Sequence, residues 1–198
     1  MRVDALKFSL TILLFAAPAM PNAAFAQAAP EHSLPPPCQA QQEFSRAAEA
    51  IIARQINAAR AKLVPGAPAL KPDEQLSRIA ELRSCELVLA RKPLSHLDDK
   101  GHFESADMVY SLLGPYGRVA ENLMQMNMPA ATEPLDAETF AIRAADLWLK
   151  SPEHRDNLTF ADYDRTGIGA AVNGDTVYVT ALFALDLDVG AQPVPKSP

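Results

Sequence analysis

The sequence predicts an α+β fold in which helices cover both faces of a small antiparallel sheet. Helical patterns fill the first part of the chain, and two strand-like runs follow, joined by Asn173-Gly174-Asp175. An Asn-Gly pair between apolar runs is a strong β-hairpin signal because both residues tolerate a positive φ. The second run, residues 176–185, is apolar at nearly every position. A strand that is apolar on both faces is covered on both faces, so we expect helices on each side of the sheet.

Three segments have the periodicity of helices. The first runs from Gln39 to about Lys62, with apolar residues at helical spacing. The second begins at Pro72, carries acidic residues in its first turn and ends before Pro93. The third spans roughly Ala137 to Lys150, and we expect its Trp148 in the core rather than against a ligand. Residues 93–135 are predicted to be irregular because Gly and Pro interrupt them.

The first 26 residues have the layout of a secretory signal peptide. Arg2 and Lys7 precede an apolar stretch, and the segment ends in Ala24-Phe25-Ala26. We therefore expect cleavage after Ala26 and a secreted or periplasmic protein without an integral membrane span. The apolar run is short for a span, but an uncleaved anchor is the alternative.

The rest of the chain is predicted to hold one domain, residues 38–188. A Pro-rich leader, residues 27–37, precedes it, and residues 189–198 are predicted to be a disordered tail. The 198-residue chain has a net charge of −6, which becomes −7 when residues 1–26, with their net charge of +1, are removed. An acidic chain without a run of Lys or Arg is not expected to bind nucleic acid or anionic lipid through its charge.

Cys38 and Cys85 are the two cysteines of the chain. In an exported protein an even number of cysteines indicates a disulfide. A metal site is the less favoured interpretation because the two residues are isolated rather than clustered.

Two of the four histidines are candidates for chemistry. His32 lies in the Pro-rich leader, and His102 follows Gly101 in a loop, where we expect it at the surface. His96 and His154 remain, and Glu121 lies between them in an apolar run. A carboxylate that is buried needs a partner, because an unpaired buried charge is very unfavourable. Two imidazoles and one carboxylate could form a divalent-metal or acid–base cluster, and scattered surface positions are the alternative.

The segment SPEHRDNL, residues 151–158, is predicted to begin a new helical turn. Its proline must end the preceding helix, and Ser151 then takes the N-cap position. His154 falls in the first turn, where the positive helix end disfavours an imidazolium and leaves a neutral ring. Arg155 and Asn157 are expected to hold the loop by structural hydrogen bonds, and Glu153 is expected at the surface.

Seven blocks of sequence, kept in order, resemble the bacterial branch of the CAP superfamily, whose SCP-like domain also occurs in cysteine-rich secretory proteins, plant pathogenesis-related proteins and venom allergens. The blocks are INAAR (56–60), ALKPDEQLSRIA (69–80), LSHLDDKG (94–101), YGRVAENL (116–123), WLKSPEHRDNL (148–158), DRTGIGAAV (164–172) and YVTALFA (178–184). The resemblance covers about residues 45–185. It implies an α–β–α sandwich with a large cleft that holds two His and two Glu and sometimes a divalent metal.

Matching blocks place His96, Glu121 and His154 at three of these four positions. Ser151 stands where animal and plant members have the second Glu, a departure that bacterial members share. The resemblance implies an exported binding module for a small apolar, lipid-like or cell-envelope ligand, with at most a weakly bound divalent metal such as zinc at His96, Glu121 and His154. Ser151 is included among the predicted ligand-binding residues.

Three other functions compete with binding. The main alternative is a metal-assisted hydrolase in which His96 and His154 hold a cation and Glu121 is a ligand or general base. A nucleophilic Ser151–His154 pair is a third hypothesis, although Ser151 is better used as a cap and the chain has no GxSxG turn. A purely structural role in the cell envelope is the fourth. We favour binding because one family acid is missing.

Overall fold

The computed structural model describes residues 34–39, 41–90, 94–113, 116–127 and 136–186. The predicted signal peptide, His32 and the predicted tail at 189–198 lie outside these residues. The described fold begins at Leu34, inside the predicted leader, and the Leu34 side chain is buried against the cluster that contains Cys38.

The described residues form five α-helices and four strands, preceded by a short 3-10 helix, Pro36–Cys38. The helices are α1 (Gln42–Leu63), α2 (Glu74–Ala90), α3 (Glu104–Leu113), α4 (Ala137–Lys150) and α5 (Pro152–Thr159). The strands are β1 (Lys71–Pro72), β2 (Arg118–Asn127), β3 (Arg165–Asn173) and β4 (Thr176–Leu185). The three predicted helices correspond to α1, α2 and α4, and the predicted hairpin corresponds to β3 and β4.

The prediction that residues 93–135 are irregular is wrong, because they contain α3 and β2. The polar pair Glu121-Asn122 interrupts the apolar pattern of β2, yet both residues are buried in the structure. The pattern therefore lacks the alternation that marks a half-exposed strand. Pro72 does not begin α2 but lies in β1, and the side chain of Asp73 accepts the amide hydrogens of Gln75 and Leu76 at the helix start.

The sheet has the strand order β1-β3-β4-β2. β4 pairs antiparallel with β3, as the hairpin signal predicts, and it also pairs antiparallel with the unpredicted strand β2. Gly174 has a φ of 61° in the tight turn between β3 and β4. The two residues of β1 pair in parallel with β3. The sheet is thus mixed rather than wholly antiparallel. β2 is an edge strand, which leaves one of its long sides open for loops and helices.

Helices cover both faces of this sheet, which confirms the predicted three-layer α–β–α sandwich. On one face, α1 and α4 pack against β4 through a core with Ile52, Phe140 and Trp148, so Trp148 belongs to the core as expected. On the other face lie α2 and α3. None of the five described helices has the length and the apolar composition of a membrane span.

Two features hold α2 against the sheet. A disulfide joins Cys38 to Cys85 with an S–S distance of 1.99 Å, which confirms the predicted bond. Gly167 and Gly169 of β3 lie directly beneath α2, and a Cβ at Gly169 would come within 2.1 Å of the Glu81 amide nitrogen. Only glycine therefore allows this close approach, which fixes the height of α2 above the sheet.

Candidate functional site

The candidate site is built around the open edge strand β2. Successive residues of a strand point to opposite faces. Glu121 accordingly contacts Arg83 of α2 and Ser105 of α3, whereas Asn122 contacts α5 on the other face. The edge strand thus connects the two helical layers at one point.

The Glu121 carboxylate is buried and fully engaged. Its Oε1 lies 2.8 Å from Nδ1 of His96, and its Oε2 accepts a hydrogen bond from the Ser105 hydroxyl. The Arg83 Nε lies 3.6 Å from the same Oε2, which places a positive charge beside the buried acid. These three partners satisfy the expectation that a buried carboxylate needs compensation.

His96 lies in the loop between α2 and α3, and this loop is held at two backbone positions. Arg83 Nη2 donates to the carbonyl of Ser95 at 2.6 Å, and the Glu104 amide donates to the carbonyl of His96 at 3.2 Å. Because an ionised carboxylate can only accept, the hydrogen bond to Glu121 places the proton of a neutral His96 on Nδ1. The Nε2 of His96 is then left as an acceptor, on a side chain that is 47% exposed.

His154 lies in the first turn of α5, and hydrogen bonds fasten this helix to β2. Asn122 Nδ2 donates to the His154 carbonyl at 3.0 Å, and Asn157 Nδ2 donates to Asn122 Oδ1 at 2.9 Å. Asn157 therefore has the structural role expected of it. Ser151 does take the N-cap position, but its side chain makes no capping hydrogen bond.

The pKa of His154 is lowered, chiefly because burial disfavours the charged ring and next because of the charge of His96. The predicted direction is therefore correct, but its main cause is burial rather than the helix end.

One cleft of about 620 Å³ brings the predicted residues together, since His96, Glu121 and His154 all line it. Ser151 is not among its lining residues, whereas Glu153 is. Six apolar or aromatic side chains complete the walls: Leu97, Phe103, Val119, Ala120, Phe160 and Tyr163. A larger cavity of about 750 Å³ shares Leu97 but contains neither histidine. The smaller cleft is therefore the candidate site.

Two arginines that the sequence did not single out shape one end of the cleft. Arg60 is buried in α1 and donates to the carbonyls of Leu158 and Phe160 at 2.8 and 2.9 Å, so it anchors the segment after α5. The guanidinium of Arg118 lies 4.6 Å from the centre of the Phe160 ring, in a cation–π contact at the cleft wall. In the sequence, the sign that Arg60 is buried is its position in the apolar stripe of α1.

A three-ligand metal site does not fit this arrangement. Among the described residues, no group of three His, Cys, Asp or Glu side chains is placed to hold a metal ion. Both oxygens of Glu121 are already engaged, so Glu121 orients His96 instead of offering a free ligand atom. The Nε2 of His96 and the ring of His154 are the donors that remain for a cation.

The chain matches the model of CAP, the cysteine-rich secretory protein family, over residues 53–184, and it belongs to that family. Its fold is similar to that of an outer surface protein from Borrelia burgdorferi, with a TM-score of 0.56 and 20% identity over 70% of this chain and 92% of that one.

A second similar structure is an extracellular protein containing a SCP domain from Bacillus anthracis str. Ames, with a TM-score of 0.53 and 19% identity. That match covers 72% of this chain but 42% of the Bacillus chain. At these identities the likeness shows the fold alone. No curated protein has a significant sequence match to the chain.

Proposed function

We propose that this protein is an exported binding module whose cleft takes a small apolar, lipid-like or cell-envelope ligand. The observation that carries the proposal is the lining of the cleft, where six apolar or aromatic side chains surround two imidazoles. Ligand sites in proteins typically combine an apolar lining with a few polar groups that fix orientation. The apolar walls would supply most of the binding free energy, and the imidazoles would contact a polar group of the ligand.

Export is part of the same proposal. The predicted signal peptide and the Cys38–Cys85 disulfide both favour an oxidising compartment. The two similar structures are named as an outer surface protein and an extracellular protein. A secreted or periplasmic location agrees with all of these observations.

Titration with N-phenyl-1-naphthylamine, a neutral apolar dye whose fluorescence rises on burial, tests the binding proposal. Leu97 lines the cleft and Leu89 lines only the neighbouring cavity, and each is 51% exposed, so they form a matched pair. Leu97→Ser should weaken dye binding about fivefold, since covering the exposed half of a leucine contributes about 1 kcal/mol. Leu89→Ser should leave the affinity unchanged. Equal weakening by both substitutions, or no binding by the wild type, would contradict the proposal.

A metal-assisted hydrolase is the second candidate, and the His96–Glu121 hydrogen bond favours it. A carboxylate that orients an imidazole is used both by general bases and by histidines that bind metals. In such an enzyme the Nε2 of His96 and the ring of His154 would be the two donors for a cation, and Glu121 would keep His96 in place. Elemental analysis before and after chelation tests this: one zinc per chain, with ester hydrolysis lost on its removal, would support the hydrolase over the binding module.

A further inference from the structure

We propose that Arg118 is a specificity-determining residue that makes the cleft selective for amphiphiles with an anionic head group. The proposal rests on the binding function proposed above and adds the chemical class of the ligand. It begins from the position of Arg118 at the start of the edge strand, on the wall of the cleft.

Arg118 is charged and exposed, and its guanidinium is oriented by the ring of Phe160 at 4.6 Å. Within the described residues no carboxylate lies within ion-pair distance of it, whereas Arg83, on the far side of β2, contacts three. A planar guanidinium that is held in place without a carboxylate partner can bind a carboxylate or phosphate through two parallel hydrogen bonds. The stacking on Phe160 reduces the side-chain entropy that such binding would cost.

The surroundings of Arg118 supply the apolar half of the ligand site. Val119 and Ala120 follow it along β2, and Phe103 and Leu97 line the same cleft. Glu121 is three residues further, which corresponds to about 10 Å along a strand. Because side chains alternate along a strand, Arg118 faces the α5 side of β2 and Glu121 faces the α3 side, and both line the cleft at the strand edge. An alkyl chain whose head group binds Arg118 can therefore cross this edge through the cleft toward the two histidines.

Two acids, Glu153 and Asp156, also line the cleft, and both lie on α5. They are exposed, so their repulsion of an anion is reduced by solvent and salt. The loop after α5 brings Phe160 to Arg118, while Asn157 of the same helix donates to the Glu121 carbonyl at 3.3 Å. Glu153, in the first turn of α5, therefore lies toward the histidine end of the cleft. Glu153 therefore does not oppose an anionic head at the Arg118 end, and the repulsion by Asp156 is reduced by its exposure to solvent.

Displacement of N-phenyl-1-naphthylamine by decanol, decanoate and decyl phosphate at pH 8 and low salt tests the proposal. We expect the wild type to bind both anions about tenfold more tightly than decanol, and Arg118→Gln to bind all three with nearly equal affinity. Arg155, exposed on α5 and outside the cleft lining, is the matched control, and Arg155→Gln should keep the preference. A preference for only one anion would identify that head group, a carboxylate or a phosphate, as the one that Arg118 binds.

Equal wild-type affinity for all three compounds, or an unchanged preference in Arg118→Gln, would overturn the role of Arg118 and leave the binding function intact. Failure of the wild type to bind decanol and the dye would instead contradict the binding function itself. The two proposals can therefore fail separately in the same experiment.

Discussion

Glu49 offers a sharp test of the energetics of the fold, because it is a largely buried acid at the edge of the sheet. Its Oε1 accepts the Ala170 amide hydrogen at 2.8 Å, which ties α1 to β3. Burial, and to a smaller extent the charge of Glu81, raises the pKa of Glu49 from the ordinary value of 4.5 to about 7, although the Ala170 hydrogen bond and Arg46 act in the opposite direction.

The raised pKa of Glu49 determines the direction in which the stability of the protein changes with pH. The folded protein holds a proton on Glu49 more tightly than the unfolded chain does. The resulting stabilisation is fully present below pH 4.5 and is lost as the pH rises to about 7. Since one pKa unit corresponds to about 1.4 kcal/mol, the loss amounts to about 3 kcal/mol.

Replacing Glu49 by glutamine should remove this loss, because the amide carbonyl can still accept the Ala170 hydrogen bond but carries no charge. Urea unfolding at pH 5, 6, 7 and 8, followed by the fluorescence of Trp148, measures the free energy of unfolding of both proteins. The free energy of unfolding of Glu49→Gln should exceed that of the wild type by an amount that grows steadily from pH 5 and reaches about 3 kcal/mol at pH 8. Glu43→Gln, exposed on the same helix, is the control and should follow the wild-type pH profile. Parallel profiles for Glu49→Gln and the wild type would show that the pKa of Glu49 is not raised in the folded protein.

Further predictions concern covalent structure, the buried arginine and the metal. Reduction of the Cys38–Cys85 disulfide should cost about 4 kcal/mol of unfolding free energy in the chain-entropy model, and denatured unreduced protein should contain no free thiol; two free thiols would contradict the bond. Arg60→Met should cost about 3 kcal/mol in urea unfolding because backbone carbonyls lose a buried charged donor, and a loss below about 1 kcal/mol would show that the carbonyls find other partners. His154→Ala should abolish weak zinc binding in calorimetry without unfolding the protein, and unchanged binding would remove His154 from the site. Mass spectrometry of protein from the producing cell should find Gln27 as the first residue, whereas an intact N-terminus in a membrane fraction would indicate an anchor.

Several parts of the fold could be predicted from the sequence because short-range patterns determine them. The Asn-Gly turn, the uniformly apolar strand β4 and the helical periodicity of α4 each involve neighbouring residues. The Cys38–Cys85 disulfide could also be predicted, since no other cysteine competes for pairing. The resemblance to a known family also predicts that His96, Glu121 and His154 share a cleft.

The supporting contacts could not be predicted, because they join residues that are distant in the sequence. Arg60 binds carbonyls 98 and 100 residues away, and nothing near Arg60 indicates these partners. In the sequence, Arg83 looks like an ordinary helical arginine. Its partners come from α3, from the loop that contains His96 and from Glu121 of β2. β2 cannot be predicted from its own sequence because its buried polar residues, Glu121 and Asn122, obtain their partners from other elements of the fold.

The proposed function requires that a small apolar ligand binds in the cleft between His96 and His154. The most direct measurement is a two-dimensional NMR spectrum of protein labelled with ¹⁵N at its histidine rings, recorded during titration with N-phenyl-1-naphthylamine. His102 provides an internal reference, since its side chain is 60% exposed on the loop and does not line the cleft. We expect the imidazole signals of His96 and His154 to shift together with a common Kd while those of His102 stay fixed. Binding of the dye by fluorescence without any shift at His96 and His154 would show that the ligand binds outside this cleft.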